Sequence, residues 1–288
     1  MKRMAPRDDR RHSGKNLIGF YLTNETMYPL PEAKARELLR KLNAKNPERI
    51  IDIEAVANAV GLIVKETDAE NSEGYSVRTE SSGLIKVSAS SKEPGQRRFT
   101  IAHEIGHFLL DKNPIHLCRM EDMVGYKSKK EEENAANAFA AELLMKKEWY
   151  AGFVKDKAPG IETIKQAAEY FGVSLSASAI RYSQAGNFPV AVIMSCKGAH
   201  NEGRVSWSAI SESFPYRYVG KGYKVNKFSE ADKFFSQGSG KKMDLKPHRV
   251  LADSWFSDTR GFRPNHYLVE QCLPMPNYDC VLTVVWQA

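Results

Sequence analysis

"RRFTIAHEIGHFLLD", Arg97 to Asp111, carries two histidines four residues apart, with a glutamate directly after the first. On a helix, residues four apart share one face, about one turn from each other. His103 and His107 can then aim imidazole nitrogens at a single ion. Glu104 is turned by roughly 100° from His103, so it stands beside such an ion, where a carboxylate can take a proton from an activated water. Ile101, Ala102, Ile105, Phe108 and Leu109 make the flanks apolar, and no charged residue lies between Glu104 and His107. Gly106 lowers helix propensity by about 1 kcal/mol relative to alanine, which points to close packing or to room for a substrate.

Two histidines do not complete a catalytic zinc site, which takes three protein ligands and keeps one position open. The metzincin continuation needs a glycine three residues and a histidine six residues after His107, where Leu110 and Asn113 stand. His116, in the loop that follows, is one candidate third ligand. The stronger candidate lies in "KKEEENAANAFAAELLMKKEW", Lys129 to Trp149. It reads as a helix from about Lys130 to Tyr150 with Ala136, Phe139, Ala140, Leu143 and Leu144 facing inward. Glu132 and Glu133 both project near that face, and periodicity does not separate them. An acidic first turn is also favoured by the helix dipole alone.

The surrounding chain reads as α+β. Residues 1–28 form an expected flexible basic lead-in. "LPEAKARELLRKLNA" (Leu30 to Ala44) is a helix with Ala35, Leu38, Leu39 and Leu42 on one face. "DIEAVANAVG" (Asp52 to Gly61) is a second helix, capped by Asp52 and stopped by Gly61. "LIVKET" and "GLIKVSAS" are strands. The histidine helix runs from about Gln96 to Leu110. A helical region follows over Ile161 to Gln184. After Pro189 the chain changes to short β-rich runs, "VAVIMSC", "RVSWSAI", "YKVNKF", "HRVLADSWF", "NHYLVEQCL" and "CVLTVVWQA". The expected organisation is a mainly helical zincin-like domain with a small sheet (29–158), a helix-turn-helix-like segment (159–188) and a β-rich domain (189–288). The last is expected to be sensory or substrate-recruiting.

Composition sets the class. With 42% hydrophobic and 27% charged residues over 288 positions, the chain matches a soluble protein of two or three domains. No apolar run reaches a membrane span, and no apolar segment follows the basic N-terminus as in a secretory signal. The four cysteines, Cys118, Cys196, Cys272 and Cys280, form no CxxC pair, which argues for a reducing, cytoplasmic setting without a disulfide scaffold. Basic residues exceed acidic ones by six to two in residues 1–15 and by 13 to nine in residues 190–288, whereas residues 16–189 hold 23 basic and 24 acidic. Such ends can attract nucleic acid or an acidic partner, but no basic stripe stands out and a solubilising surface is the favoured account.

"RRFTIAHEIGHFLLD" paired with "ENAANAFAAELLM" resembles the ImmA/IrrE family of bacterial zinc metallo-endopeptidases. "IDIEAVANAVGLIVKE" before it and "QAAEYFGVSLSASAIR" after it also resemble that family, over roughly residues 30–185. The resemblance selects Glu133 as the third metal ligand beside His103 and His107, with Ala136 and Asn137 completing its motif. Glu104 becomes the general base. Lys146 stands where the family usually has proline after Leu-Leu-Met, and nothing after Ser183 matches. The resemblance implies zinc, with manganese as the alternative ion. It also implies selective cleavage of a regulatory protein, a helix-turn-helix transcriptional repressor, that switches on prophage, mobile-element or stress-response genes. His116 and Tyr126 are candidate oxyanion donors.

Another class stays open at this point, a non-enzymatic DNA- or partner-binding regulator with a structural or vestigial metal site. "IKQAAEYFGVSLSASAIRYS" (Ile164 to Ser183) has the outline of a helix-turn-helix around Gly172. Its candidate base-contacting residues, Ser174, Ser176, Ser178 and Arg181, include one cation. Ser178 stands where that motif wants an apolar residue, so a helical hairpin packed on the catalytic domain accounts for the pattern as well. Direct DNA contact is not the favoured reading.

Overall fold

The computed structural model describes residues 20–23, 26–44, 50–67, 74–79, 82–88, 93–110, 115–118, 131–237, 243–256 and 266–287. The fold is α+β. A short antiparallel ribbon, β1 (Phe20–Thr23) and β2 (Thr26–Pro29), leads into helix α1 (Leu30–Lys41). Part of the expected flexible lead-in is therefore paired strand. Ala35, Leu38 and Leu39 of α1 are buried as their spacing demands, but the helix ends at Lys41 and Leu42 is exposed. Helix α2 (Ile53–Ala59) is capped by Asp52, whose carboxylate accepts from the amides of Glu54 and Ala55. Gly61 follows with φ +86°, a left-handed conformation that favours glycine.

A four-stranded mixed sheet comes next. It contains β3 (Leu62–Thr67), β4 (Gly74–Arg78), β5 (Gly83–Ser88) and β6 (Ile115–Cys118), in the order β3-β5-β4-β6. β3 and β5, the two strands legible in the sequence, pair in parallel. Helix α3 (Pro94–Leu110) leaves β5 and carries His103 and His107. The expected single helix of residues 130–150 is two helices, α4 (Glu131–Leu144) and α5 (Lys147–Val154). The break falls at Lys146, whose backbone is extended (φ −45°, ψ 133°). Lys146 is the position where the resembled family places proline, so lysine here adopts the break that proline would enforce. The last helical region also divides, at Gly172 (φ +61°), into α6 (Ile161–Phe171) and α7 (Leu175–Ala185). Ser174 caps α7 by accepting from the Ala177 amide.

After Pro189 lies a five-stranded antiparallel sheet, ordered β8-β7-β11-β10-β9. Its strands are β7 (Val190–Lys197), β8 (Gly203–Ile210), β9 (His248–Leu251), β10 (Tyr267–Met275) and β11 (Cys280–Gln287), and helix α8 (Glu230–Gln237) precedes β9. Of the expected β runs, "YKVNKF" is no strand. It makes one isolated bridge, Lys224 to Arg204. The central strands separate two cores by their period-two alternation. Val190, Val192 and Met194 of β7, with Leu282 and Val284 of β11, join the core that contains the helices. Ala191, Ile193, Val281 and Val285 face a second core with Phe214, Tyr216, Phe234 and Trp255. One face of the C-terminal sheet is thus continuous with the packing of the helical half.

Two expectations need correction. Cys196 and Cys280 stand directly opposite on β7 and β11 and are joined by a disulfide. They are 84 residues apart in sequence, and only strand register brings them together. The base-contacting reading of α7 also fails at two of its residues. Ser178 and Arg181 are buried at 0% and 2% exposure. The Ser178 hydroxyl donates to the Ile164 carbonyl, and the Tyr150 hydroxyl donates to the Ser178 carbonyl. The polar residue at an apolar position is thus hydrogen-bonded inside the hairpin.

Candidate metal centre

The site is made where α3 crosses α4. Gly106 allows the approach: a β-carbon there would lie 3.1 Å from the Ala136 Cα, 3.2 Å from its carbonyl oxygen and 3.2 Å from the Phe139 ring. The glycine that weakens α3 as a helix is what lets α4 pack against it. Its neighbours Ile101, Ala102 and Ile105, with Ala136, Phe139, Ala140 and Leu143 across from them, are all buried.

At this crossing His103, Glu104 and His107 have no exposure, and Glu133 from the first turn of α4 is 5% exposed. Glu131 and Glu132 are exposed. The fold therefore separates Glu133 from Glu132, which periodicity could not. Glu133 Oε2 lies 3.2 Å from His103 Nε2 and 3.5 Å from His107 Nε2, and the two imidazole nitrogens are 2.9 Å apart. Donors around a tetrahedral ion with bonds of about 2.05 Å sit about 3.3 Å from one another. The three observed separations bracket that value. Two imidazole nitrogens and one carboxylate oxygen are also a donor set that zinc accepts. The residues present therefore fit a metal ion.

The donors are oriented from behind. Asn137, one turn after Glu133, has its Oδ1 2.9 Å from His103 Nδ1. An amide oxygen only accepts, so Nδ1 carries the proton and Nε2 presents its lone pair to the site. His103 and His107 meet edge to face, with ring centroids 4.6 Å apart. Among the described residues no other group of three or more His, Cys, Asp or Glu is gathered closely enough to hold an ion.

The remaining candidates are not placed by this geometry. The backbone of His116 stands in β6 opposite Ser76, and its side chain lies outside what the structure describes. Tyr126 lies outside the described residues. No helix among the described residues is long and apolar enough to cross a membrane.

Comparison with known proteins agrees with the motifs. A model of the IrrE N-terminal-like domain, a peptidase family, matches residues 57–183. No curated protein matches the chain. A solved structure described as a Mycobacterium tuberculosis transcriptional regulator is similar in fold, with a TM-score of 0.53 at 15% identity over 89% of this chain and 76% of that one. Residues 57–183, which hold the α3–α4 crossing and its His-His-Glu cluster, match the IrrE N-terminal-like domain that the motifs resemble.

Proposed function

We propose that this protein is a metal-dependent endopeptidase, with His103, His107 and Glu133 as the metal ligands and Glu104 as the general base. The observation that carries the reading is the convergence of three buried donors from two helices, with a buried carboxylate, Glu104, next to one of them. A purely structural site needs ligands and no such base. When bound, the ion supplies Lewis acidity, polarising a scissile carbonyl and making an attacking water more acidic. Zinc is the ion this donor set favours, with manganese as the alternative.

Glu104 takes a proton from the attacking water and passes it to the leaving amine nitrogen as the carbon–nitrogen bond breaks. Asn137 keeps His103 in the tautomer that can bind metal. The proposed substrate is a regulatory protein of the helix-turn-helix repressor class, cleaved inside the cell to release gene expression. The family resemblance supports this, and the fold neighbour is itself described as a transcriptional regulator. The burial of Ser178 and Arg181 counts against the alternative in which α6 and α7 read DNA directly.

Elemental analysis of the purified protein tests the reading. Wild type and Glu104→Gln should each carry about one metal ion per chain, and Glu133→Ala should lose it. Proteolysis of a repressor should then be absent in Glu104→Gln despite its full metal content. Metal retained in Glu133→Ala, or cleavage by Glu104→Gln at the wild-type rate, would sink the assignment.

A further inference from the structure

The segment from Ser213 to Ser229, "SFPYRYVGKGYKVNKFS", has four cations, five aromatic residues and no acid. The fold uses these residues in two ways. Phe214, Tyr216, Val219 and Val225 are buried in the second core, on the sheet face turned away from the helices. Tyr218, Tyr223 and Phe228 are left outside, at 60%, 45% and 69% exposure. Those three are half of the six strongly exposed aromatic residues among the described residues, gathered within one loop. The core on this side is filled by Phe214, Tyr216, Val219 and Val225 and leaves these three rings outside.

The loop is held as a platform along the edge strand β8. The Val205 amide donates to the Tyr223 carbonyl, the Gly222 amide to the Val205 carbonyl and the Val225 amide to the Gly203 carbonyl. Arg204 also donates to the Gly222 carbonyl. Tyr218 and Tyr223 stand edge to face with centroids 6.3 Å apart, and Lys227 Nζ lies 5.1 Å from the centre of the Phe228 ring. Between them opens a cleft of about 480 Å³, lined by Tyr223, Lys224, Lys227, Phe228, Asp253 and Trp255. Acids line this surface too: Asp232 and Asp279 share an adjoining cleft with Lys224 and Lys227. Glu202 is shared between Arg204 and Lys224, which leaves that trio net positive, and Asp253 lies in the first cleft. Lys221 and Lys227 make no ion pair among the described residues and are exposed.

Exposed rings interspersed with exposed cations on a fixed backbone are what a single strand of nucleic acid requires. Bases stack on the rings, and phosphates meet the ammonium groups. A duplex hides its base faces, and a purely acidic peptide has no ring to stack, so neither uses the rings. We infer that the Arg217–Phe228 surface binds single-stranded nucleic acid. Several separate rings favour a strand over a single nucleotide. A preformed platform reduces the ordering cost of binding. The surface is separate from the metal centre, and the inference does not depend on the peptidase reading.

The test is fluorescence anisotropy of the full-length protein with a labelled oligothymidylate of about 15 nucleotides, at about 50 mM salt and above. The expected result is binding that weakens with salt and prefers the single strand to a duplex of equal length. The Tyr223→Ala/Phe228→Ala variant should weaken it roughly tenfold or more, the scale of losing one or two stacked bases. Lys221→Gln/Lys227→Gln should weaken it and flatten its salt dependence. Tyr278→Ala, a comparably exposed ring in the turn between β10 and β11, should leave it unchanged. The inference is overturned by no binding at the lowest salt, by equal binding of duplex that ignores the aromatic variant, by polyglutamate competing as well as the oligonucleotide, or by Tyr278→Ala matching Tyr223→Ala/Phe228→Ala.

Discussion

Arg181 Nη1 of α7 lies 3.5 Å from Glu142 Oε2 of α4, with side-chain exposures of 2% and 0%. Glu142 also takes Arg36 Nη2 of α1 at 2.6 Å. One buried carboxylate thus ties the first helix and the last hairpin to the helix that supplies Glu133. Burial pushes the Glu142 carboxyl up, and the two guanidinium groups offset this only in part. Such a group is costly to orphan.

Removing either partner should therefore be expensive. Glu142→Leu should cost about 3–5 kcal/mol of unfolding free energy, Arg181→Met should cost less because Arg36 still pairs with Glu142, and the double variant should recover only part of the Glu142→Leu loss because Arg36 still lacks that partner. Urea unfolding of the three variants checks this. Single losses below about 1 kcal/mol would mean that water, and not the partner, satisfies these groups.

Asn137 should act on metal affinity more than on fold. Asn137→Ala removes the acceptor that sets the His103 tautomer, and metal affinity should fall about 10- to 100-fold. Asn137→Asp keeps an acceptor oxygen and should keep most of the affinity. Competition with a metal chelator reads the difference. Equal affinity in all three proteins would remove Asn137 from the orienting role.

Gly106 and Gly152 should respond oppositely to alanine. Both are helical, and alanine gains up to about 1 kcal/mol of propensity at each. At Gly152 nothing lies within 4 Å of the new methyl, so Gly152→Ala should stabilise the protein by about 0.5–1 kcal/mol. At Gly106 the methyl meets α4 backbone and the Phe139 ring. Overpacking of this kind costs about 1–3 kcal/mol, which exceeds the gain, so Gly106→Ala should lower the melting temperature and loosen metal binding. Melting curves of the two variants decide it.

Reduction of the Cys196–Cys280 bond should weaken the C-terminal sheet. It closes a loop of 84 residues, and loss of such a closure removes about 4–5 kcal/mol in the chain-entropy account. The urea midpoint of wild type should drop in reductant, while Cys196→Ser/Cys280→Ser should show the reduced midpoint throughout. Cys272, whose thiol burial pushes up, should stay unreactive towards alkylating reagents until the protein unfolds. An unchanged wild-type midpoint in reductant would show that strand pairing alone holds these ends.

What the sequence by itself determined is what one element decides alone. The i, i+4 spacing sets His103 and His107 on one face of α3, Asp52 caps α2, and Gly172 divides α6 from α7. Each follows from backbone geometry within a few residues. The tertiary structure decided everything that depends on where distant elements meet. Glu132 and Glu133 are adjacent on one helix, and only the crossing of α3 and α4, permitted by Gly106, turns the second towards the histidines. Arg181 reads from sequence as an exposed cation, yet the packing of α7 on α4 buries it against Glu142. Cys196 and Cys280 share no local pattern and meet through the register of β7 and β11. "YKVNKF" has the composition of a strand but lies as a loop along β8, where Val225 alone of its six residues is buried. Periodicity describes the faces of an element. It carries no information about which other element will cover them.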